Sequence, residues 1–310
     1  MAESSGPSGH IGRYAPSPNG PLHRGSLLAA LASFLQARAH GARWHVRIDD
    51  LDTPRVVPGA AADILRTLER FGLYWDGAVM YQSQRAAAYA DVLHRLRAQG
   101  DVFDCGCSRR ETRTGPLGLE GPIYPGTCRH GLPAGRHPRS LRARVGAAPI
   151  IVVDRIQGRY AQNLAADVGD FVLRRADGIV AYQLATVVDD AAQGITEVVR
   201  GADLLSSTPR QMFLHRTLGQ SPPAYAHLPL LLDARGCKLG KSNGALALDP
   251  AHRSRELVTV LDLLGQAPPA GLAGATVEQI ITWAIAHWTI AAVPSRRAVT
   301  ATDPGRGRNE

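Results

Sequence analysis

Two short segments of this 310-residue chain carry residue types that bind phosphate, and they lie far apart in the sequence. The first, residues 18–25, reads Pro-Asn-Gly-Pro-Leu-His-Arg-Gly, where a predicted turn leads into a predicted helix. Gly20 and Gly25 let the backbone approach a ligand closely, and a helix start presents N–H groups to phosphate. Pro21 suits a first helical position, and His23 can donate a hydrogen bond to charge that grows on an α-phosphate.

The second segment places two lysines, Lys238 and Lys241, before Ser242 in a loop of small residues. An ammonium is a compact point charge that suits a migrating pyrophosphate, and a loop can close over a nucleotide. Taken alone, the first segment is explained by a capped helix and the second by a solvated loop. Together they predict an enzyme that directs attack at the α-phosphate of ATP, with His23 and the two lysines as catalytic residues.

The order and spacing of these segments resemble the HIGH-like and KMSKS-like signatures of the class I aminoacyl-tRNA synthetases. The glutamyl/glutaminyl branch is the closer match, from about residue 12 to about residue 248. The stretches that carry the resemblance are Arg-Tyr-Ala-Pro-Ser-Pro-Asn-Gly-Pro-Leu-His (13–23), Arg-Ile-Asp-Asp-Leu-Asp-Thr-Pro-Arg (47–55) and Gly-Ile-Thr-Glu-Val-Val-Arg-Gly-Ala-Asp-Leu-Leu (194–205).

Within this branch, two features resemble the glutamyl-Q tRNA(Asp) synthetase family. Only residues 243–310 follow Ser242, too few for the anticodon-binding domain of a full glutamyl-tRNA synthetase. Cys105-x-Cys107 with Tyr124-x-x-x-Cys128 looks like that family's zinc site. The resemblance implies a Rossmann-type enzyme that activates L-glutamate with ATP, without needing tRNA. It also implies transfer of glutamate to queuosine at the wobble position of tRNA(Asp), with Mg²⁺ accompanying ATP.

The resemblance also implies two sets of substrate contacts. The L-glutamate contacts are Arg13, Tyr14, Ala15, Pro16, Ser17, Asp49, Tyr182 and Arg200. The ATP contacts are Gly20, His23, Gly25 and Lys241. Residue chemistry agrees, because guanidinium groups form forks for carboxylates, an aspartate pairs with an ammonium, and tyrosine offers a hydroxyl. The competing interpretation is that these charged side chains form buried ion pairs, above all Asp49 and Asp52 beside Arg47 and Arg55.

Three positions depart from the family pattern. Asp49 stands where the family usually has glutamate, and Ser26 replaces the second histidine of the first signature. Gly240 replaces a serine common in the second signature, which removes a hydroxyl and loosens the loop. The changes at Asp49 and Gly240 remove no charge. They are the two departures from the family pattern that we expect to lower activity.

Three cysteines of the segment 105–140 have a spacing that suits a metal site. Zinc takes four ligands in structural sites, usually Cys or His. Residue chemistry leaves Tyr124, His130 and His137 open as the fourth ligand beside Cys105, Cys107 and Cys128, whereas the resemblance selects Tyr124. We expect one structural Zn²⁺ per chain; the alternative is reduced cysteines without a metal.

Apolar periodicity predicts the elements that must position these residues. Strands and helices alternate from residue 11 to residue 104, ending with Val102–Asp104, which predicts a parallel sheet covered by helices. Ligands bind such sheets at the carboxyl ends of the strands. The predicted α/β organisation comprises a flexible N-terminus (1–10), the first half of a Rossmann-type catalytic domain (11–104), a zinc-binding insertion (105–140), the second half of that domain (141–218), a KMSKS-like loop with a helical C-terminal subdomain (219–293) and a flexible basic tail (294–310).

Composition limits the class of protein. The net charge of +8 favours an anionic partner, nucleic acid first, although an arginine-rich composition would also explain it. Four cysteines are too few for a disulfide scaffold, and neither a secretory signal nor a membrane span is predicted. We therefore expect a cytoplasmic protein with no membrane contact and no obligate protein partner.

Two other functions stay open. One is a short glutamyl-tRNA synthetase that charges a tRNA 3′ end, which the missing anticodon-binding domain disfavours. The other is a zinc-containing RNA-binding protein with a decayed catalytic site, which the retained His23, Arg200 and Lys241 disfavour.

Overall fold

The computed structural model describes residues 9–233, 235–239 and 247–300. Its first part alternates strands with helices: β1 (Ile11–Tyr14), α1 (Arg24–Arg38), β2 (Arg43–Ile48), α2 (Ala60–Arg70), β3 (Met80–Tyr81) and α3 (Ala86–Ala98). The three strands pair in parallel, with Ile11 opposite Arg43 and Ile48 opposite Tyr81. The predicted alternation is confirmed as far as α3. Residues 1–8 of the predicted flexible N-terminus lie outside the described residues.

The remaining elements complete the parallel layer and add smaller sheets. They are β4 (Val102–Cys105), β5 (Leu117–Gly118), β6 (Gly121–Pro122), β7 (Ser140–Ala143), β8 (Ile150–Asp154), β9 (Gly158–Gln162), α4 (Leu164–Asp167), β10 (Val172–Arg174), α5 (Tyr182–Ala192), β11 (Glu197–Gly201), α6 (Thr208–Thr217), β12 (Ala224–Leu228), β13 (Leu230–Leu232), α7 (Arg253–Leu263), α8 (Val277–His287) and β14 (Ala298–Thr300). β11 lies against β1, where the Thr196 N–H donates to the Ile11 carbonyl over 3.0 Å. β12 pairs in parallel with β11, so the parallel layer continues beyond β1.

The prediction that Val102–Asp104 continues the parallel sheet is wrong. β4 pairs antiparallel with β7, and β7 pairs antiparallel with β10, so the three form a separate sheet. Residues 106–139 leave β4 and return directly beside it as β7, and a return of that kind is antiparallel. Apolar periodicity reveals a strand but not its partner, which is why the sequence placed β4 in the wrong sheet.

Several elements had no prediction. β9 forms an antiparallel hairpin with β8, and β12 is buried from its second residue onward. Residues 298–300 belong to the predicted flexible tail, but they form β14, which pairs in parallel with β13. The tail is therefore a strand at these residues, held by ladder hydrogen bonds, and residues 301–310 lie outside the described part of the chain.

One hydrophobic core joins the start of the chain to its C-terminal helices. Leu257 and Leu261 of α7 and Ile280 of α8 are buried in the same cluster as Leu31 of α1 and Trp44 of β2. α8 begins with a capping box, in which Thr276 and Gln279 exchange side-chain-to-backbone hydrogen bonds. A separate helical C-terminal subdomain stays a prediction, because α7 and α8 share this core. No helix among the described residues has the length and apolar content needed to cross a membrane.

Candidate active site

The residues that follow β1 and β2 meet at the carboxyl edge of the parallel sheet. The Asp49 N–H donates to the Pro16 carbonyl over 3.0 Å, and the Val57 N–H donates to the Pro18 carbonyl over 2.9 Å. Gly20, in the turn before α1, has a φ of 131°, a conformation that favours glycine. The first signature therefore lies where parallel sheets bind ligands.

His23 caps the N-terminus of α1. Its Nδ1 accepts a hydrogen bond from the Ser26 N–H over 3.3 Å, and the helix begins at Arg24. Because Nδ1 is the acceptor, the ring proton lies on Nε2, which makes Nε2 a donor. The prediction that Pro21 occupies the first helical position is wrong, because the N-cap residue is His23 and the helix begins at Arg24. Ser26, which replaces the second histidine of the signature, contributes its backbone N–H to this cap.

The chain on either side of residues 240–246 lies against the first signature. The Leu248 N–H donates to the Leu22 carbonyl over 2.9 Å, and Ala247 bridges to His23. At the other end, a Cβ added to Gly25 would come within 3.5 Å of the Leu239 carbonyl oxygen and 3.1 Å of the His23 ring. A side chain at position 25 would therefore crowd the His23 ring, and glycine avoids this contact. Gly240, Lys241 and Ser242 lie outside the described residues. The flanking residues Leu239 and Ala247 both lie at the start of α1.

Lys238 and Arg24 form ion pairs that tie this region to other elements. Lys238 Nζ lies 2.5 Å from Asp203 Oδ2, and both side chains are partly exposed. Arg24 donates twice to the Glu256 carboxylate of α7, at 2.8 Å each. A bidentate pair fixes orientation, so α7 braces the helix start that His23 caps.

A buried network of four charged side chains lies behind the turn after β1. Arg47 donates to Asp49 Oδ1 over 2.8 Å and to Asp190 Oδ1 over 2.5 Å. Arg13 donates to the same Asp190 oxygen over 3.3 Å. Asp49 thus forms the expected ion pair through its Oδ1 atom. Its Oδ2 atom makes no hydrogen bond to the described residues. Asp190 was not predicted; two adjacent acids on the apolar helix α5 were the available signal.

The two carboxyl groups of this network have opposite pKa shifts. Burial raises the pKa of Asp49 above its usual range, and the Arg47 guanidinium only partly offsets this effect. Burial also acts on Asp190, but Arg13 and Arg47 outweigh it and lower the pKa of Asp190. Asp49 therefore gains from any further positive group placed beside it, because a second cation would favour its ionised form.

Arg200 is a buried cation without an acidic partner. It is 5% exposed, and its hydrogen bonds go to His227 Nε2 (3.1 Å), Thr208 Oγ1 (2.8 Å), the Leu204 carbonyl (3.3 Å) and the Tyr182 hydroxyl (3.4 Å). No carboxylate of the described residues lies within ion-pair distance of its guanidinium. Because a buried charge is costly unless it is paired, this arrangement favours an anionic ligand at Arg200.

His227 and Asp154 hold Arg200 in place. His227 Nδ1 donates to Asp154 Oδ2 over 2.6 Å, which leaves Nε2 as the acceptor for Arg200 Nε. Burial lowers the pKa of His227 to about 4, despite the Asp154 carboxylate. The imidazole is therefore neutral near pH 7 and can accept from the guanidinium. His227, Asp154 and Thr208 were missed, because β12 was not predicted and none of the three belongs to a motif.

The other predicted glutamate contacts have mixed surroundings. Tyr14 is buried and stacks on Trp44, and burial raises its pKa. Ala15 is half-buried, and the Ser17 side chain is exposed. The Pro16 carbonyl accepts a hydrogen bond from the Asp49 N–H. Tyr182 is 37% exposed and reaches the site through its hydroxyl. Arg13, Asp49, Tyr182 and Arg200 are thus the predicted contacts whose polar side-chain groups take part in the hydrogen bonds described above, while Tyr14 packs in the core.

Three buried cysteines converge in the insertion. The sulfurs of Cys105, Cys107 and Cys128 all lie within 4.8 Å of one another, and Cys107 Sγ is 3.7 Å from Cys128 Sγ. The Tyr124 hydroxyl lies 3.4 Å from Cys105 Sγ and 3.7 Å from Cys107 Sγ. No histidine nitrogen of the described residues lies within the same distance of all three sulfurs, so neither His130 nor His137 joins the group. This cluster could hold a metal ion.

Comparisons with known proteins agree over most of the chain. Residues 11–264 match the family described as tRNA synthetases class I (E and Q), catalytic domain. A glutamyl-Q tRNA(Asp) synthetase of Thiobacillus denitrificans is 54% identical over 96% of this chain and 99% of its own length. One of Geobacter sulfurreducens is 53% identical over 95% of this chain and 96% of its own length.

Two solved structures share the fold. A glutamate tRNA ligase of Elizabethkingia meningosepticum, in complex with its amino acid, matches with a TM-score of 0.80 at 23% identity. The match covers 95% of this chain and 67% of the ligase. The glutamate-tRNA synthetase of Elizabethkingia anophelis matches with a TM-score of 0.77 at 25% identity, over 93% of this chain and 67% of that one.

The pKa of His227 gives a stability test. Between pH 6.5 and pH 4 the unfolded histidine binds a proton that the folded one does not, so wild-type stability falls as pH falls through this window. His227→Gln removes the titration but keeps an acceptor. We expect the stability difference between wild type and variant to shrink by about 3 kcal/mol from pH 7 to pH 4 in urea unfolding. A difference that does not vary with pH would contradict the neutral imidazole.

Proposed function

Because the chain belongs to the glutamyl-Q tRNA(Asp) synthetase family, within the class I synthetase catalytic domains for glutamate and glutamine, it is an ATP-using ligase, and we propose which reaction it performs. It activates L-glutamate to glutamyl-adenylate without tRNA, and it then transfers glutamate to queuosine at the wobble position of tRNA(Asp). The observation that carries this proposal is the buried guanidinium of Arg200, which has neutral partners only and is therefore available to a carboxylate of the substrate.

The glutamate pocket follows from Arg200, which has no acidic partner among the described residues, and from the atoms of Asp49 and Arg13 that their ion pairs leave open. Arg200, held by His227 and flanked by the Tyr182 hydroxyl, binds one carboxylate of the substrate. Asp49 Oδ2 binds the ammonium, which would stabilise an ionised Asp49 whose pKa burial raises. Arg13, which donates to Asp190 through Nε, has further N–H groups for the second carboxylate. The shorter Asp49 thereby combines an ion pair through Oδ1 with a substrate contact through Oδ2.

The nucleotide site follows from the helix start. The α-phosphate of ATP lies near the N-terminus of α1, where N–H groups and the helix dipole favour negative charge. His23 donates through Nε2 as charge develops there, and Gly20 and Gly25 keep the approach open. A glutamate carboxylate oxygen attacks the α-phosphorus, the bond to the β-phosphate oxygen breaks, and pyrophosphate leaves with Mg²⁺. A queuosine hydroxyl then attacks the glutamyl carbonyl, and AMP leaves.

The two lysines have a role that arginine does not fill. Lys238 and Lys241 are the only lysines of the chain, and every other cationic side chain with a permanent charge is arginine. An arginine-rich composition therefore has an exception at the segment whose ends dock on residues 22–25. A compact ammonium can follow a departing pyrophosphate, whereas a planar guanidinium prefers fixed bidentate partners. We assign Lys241 to the β- and γ-phosphates in the transition state, with Lys238 beside it.

The cysteine cluster holds one structural zinc in this proposal. Tetrahedral zinc with Zn–S bonds of about 2.3 Å separates two thiolate sulfurs by about 3.8 Å. The Cys107–Cys128 separation of 3.7 Å fits this value, and Tyr124 supplies an oxygen beside Cys105 and Cys107. A zinc ion with four protein ligands would crosslink the insertion and leave no position for a substrate. The reaction and its substrates suit the cytoplasm, with no membrane and no obligate protein partner.

Activation is tested by pyrophosphate exchange. Wild type incubated with L-glutamate, ATP and labelled pyrophosphate should exchange label into ATP without RNA. Exchange that strictly requires tRNA would instead support a short glutamyl-tRNA synthetase, and no exchange under any condition would support a decayed RNA-binding protein.

The lysine assignment makes a sharper form of this test. Lys241→Ala should reduce exchange 10-fold or more, which corresponds to about 1.4 kcal/mol or more of transition-state stabilisation. Lys241→Arg should fail to restore it, because the guanidinium cannot follow the pyrophosphate. Arg235→Ala, which removes a charge from the same segment, is the matched control and should exchange normally. Near-normal exchange by Lys241→Ala would refute the role of Lys241.

Metal analysis tests the zinc proposal. Purified protein should contain about one zinc per chain. Cys128→Ser should lose the metal and unfold at a lower temperature, while Cys237→Ser, which changes an exposed cysteine outside the cluster, should keep it. Metal-free wild type that is folded and fully active would exclude a structural zinc.

A further inference from the structure

A groove lined by arginines lies between the insertion and the turn after β10. We name it the arginine groove and define it by Arg109, Arg139, Arg142 and Arg175, which line a cavity of ≈ 570 Å³ together with Cys107 and Asp177. Asp177 is the one acidic side chain in this lining. Ser140 and Val172, on the antiparallel sheet, form part of the wall.

The arginines of the groove are not balanced by acids. Arg175 pairs with Asp177, but Arg109 and Arg139 are exposed and have no ion-pair partner among the described residues. Two neighbours in the insertion, Arg110 and Arg113, are also exposed and form no ion pair within the described part of the chain. The local excess of positive charge is therefore available to an anionic partner.

The floor of the groove supplies an independent observation. Arg142 is 8% exposed, and its guanidinium lies 3.9 Å from the centre of the Tyr124 ring. Its Nη1 donates to the Asp170 carbonyl over 2.8 Å, but its buried Nε has no hydrogen-bond partner. That buried Nε is not a contact for a ligand in the groove; what Arg142 contributes is a fixed positive charge at the floor, which attracts an anion lying above it.

The groove reaches the candidate active site. Arg175 Nη1 lies 3.7 Å from Asp52 Oδ1, and Asp52 belongs to the loop after β2 that also carries Asp49. At its other end, the groove is lined by Cys107 of the cysteine cluster. A polymer lying in the groove would therefore run from the insertion toward the glutamate pocket.

We propose that the arginine groove binds the phosphodiester backbone of the RNA substrate and guides the acceptor nucleotide into the glutamate pocket. The identification of the partner as RNA rests on the proposed function; the recognition of a chain of phosphates rests on the groove. Guanidinium forks match phosphate oxygens, and charges distributed along an open groove suit a polyanion rather than one small anion.

The test measures RNA binding by the groove separately from the activation of glutamate. Arg109→Gln/Arg139→Gln is compared with wild type for affinity to an unmodified tRNA(Asp) transcript, by fluorescence anisotropy at several salt concentrations. Each phosphate contact contributes about 0.7 to 0.9 to the slope of log affinity against log salt. The double variant should therefore lose about 1.4 to 1.8 of that slope. Pyrophosphate exchange without RNA should be unchanged, because neither arginine contacts glutamate or ATP.

Two controls make the result specific. Arg43→Gln/Arg70→Gln removes two exposed arginines at the start of β2 and the end of α2, far from the carboxyl edge of the sheet, and should keep the wild-type slope. Arg109→Lys/Arg139→Lys keeps the charge and should keep most of the slope.

The outcomes distinguish the groove from the proposed function. A slope that is unchanged in the glutamine variant, or reduced equally in the control pair, would overturn the groove even if wild type exchanges pyrophosphate. A reduced slope in a protein that shows no exchange would support the groove and refute the proposed activation of glutamate.

Discussion

The docking of residues 239 and 247–248 on the start of α1 is the contact on which the active site depends. Leu248 pairs with Leu22, Ala247 bridges to His23, and the Leu239 carbonyl faces Gly25. Two segments separated by most of the chain thus share one helix N-terminus. His23 caps that helix through Nδ1, so its Nε2 donor is directed by the same hydrogen bond that starts the helix. Glycine at position 25 avoids a tight contact with the His23 ring.

Charge balance explains which side chains remain available to substrates. Arg13, Arg47, Asp49 and Asp190 neutralise one another in one ion-pair network at the sheet edge. Arg200 is equally buried but has neutral partners, because the Asp154 carboxylate is separated from it by the His227 ring. A guanidinium held in this way keeps its charge and its direction without an ion pair to break. In the proposed function, a carboxylate of the substrate supplies the missing partner.

The sequence predicted the parts of the site that rest on local chemistry. The turn before α1, the helix itself and the cysteine cluster all depend on residues close in the chain, and these predictions agree with the structure. The partner of β4 depends on where residues 106–139 return, which no local pattern records. Asp190, Asp154 and His227 matter because of side chains that approach from distant strands and helices. In the sequence, the sole signal of these residues was a polar residue type within an apolar stretch. That signal does not specify which side chain the residue contacts.

The central proposal is that glutamate, once activated, is transferred to the queuosine of tRNA(Asp). The most direct measurement incubates the protein with ATP, labelled L-glutamate and tRNA(Asp) prepared with or without queuosine, followed by cleavage of the RNA into fragments. The account predicts label only on the queuosine-bearing tRNA, and only in the fragment that contains the anticodon. Label in the 3′-terminal fragment, or equal labelling of both tRNAs, would contradict it.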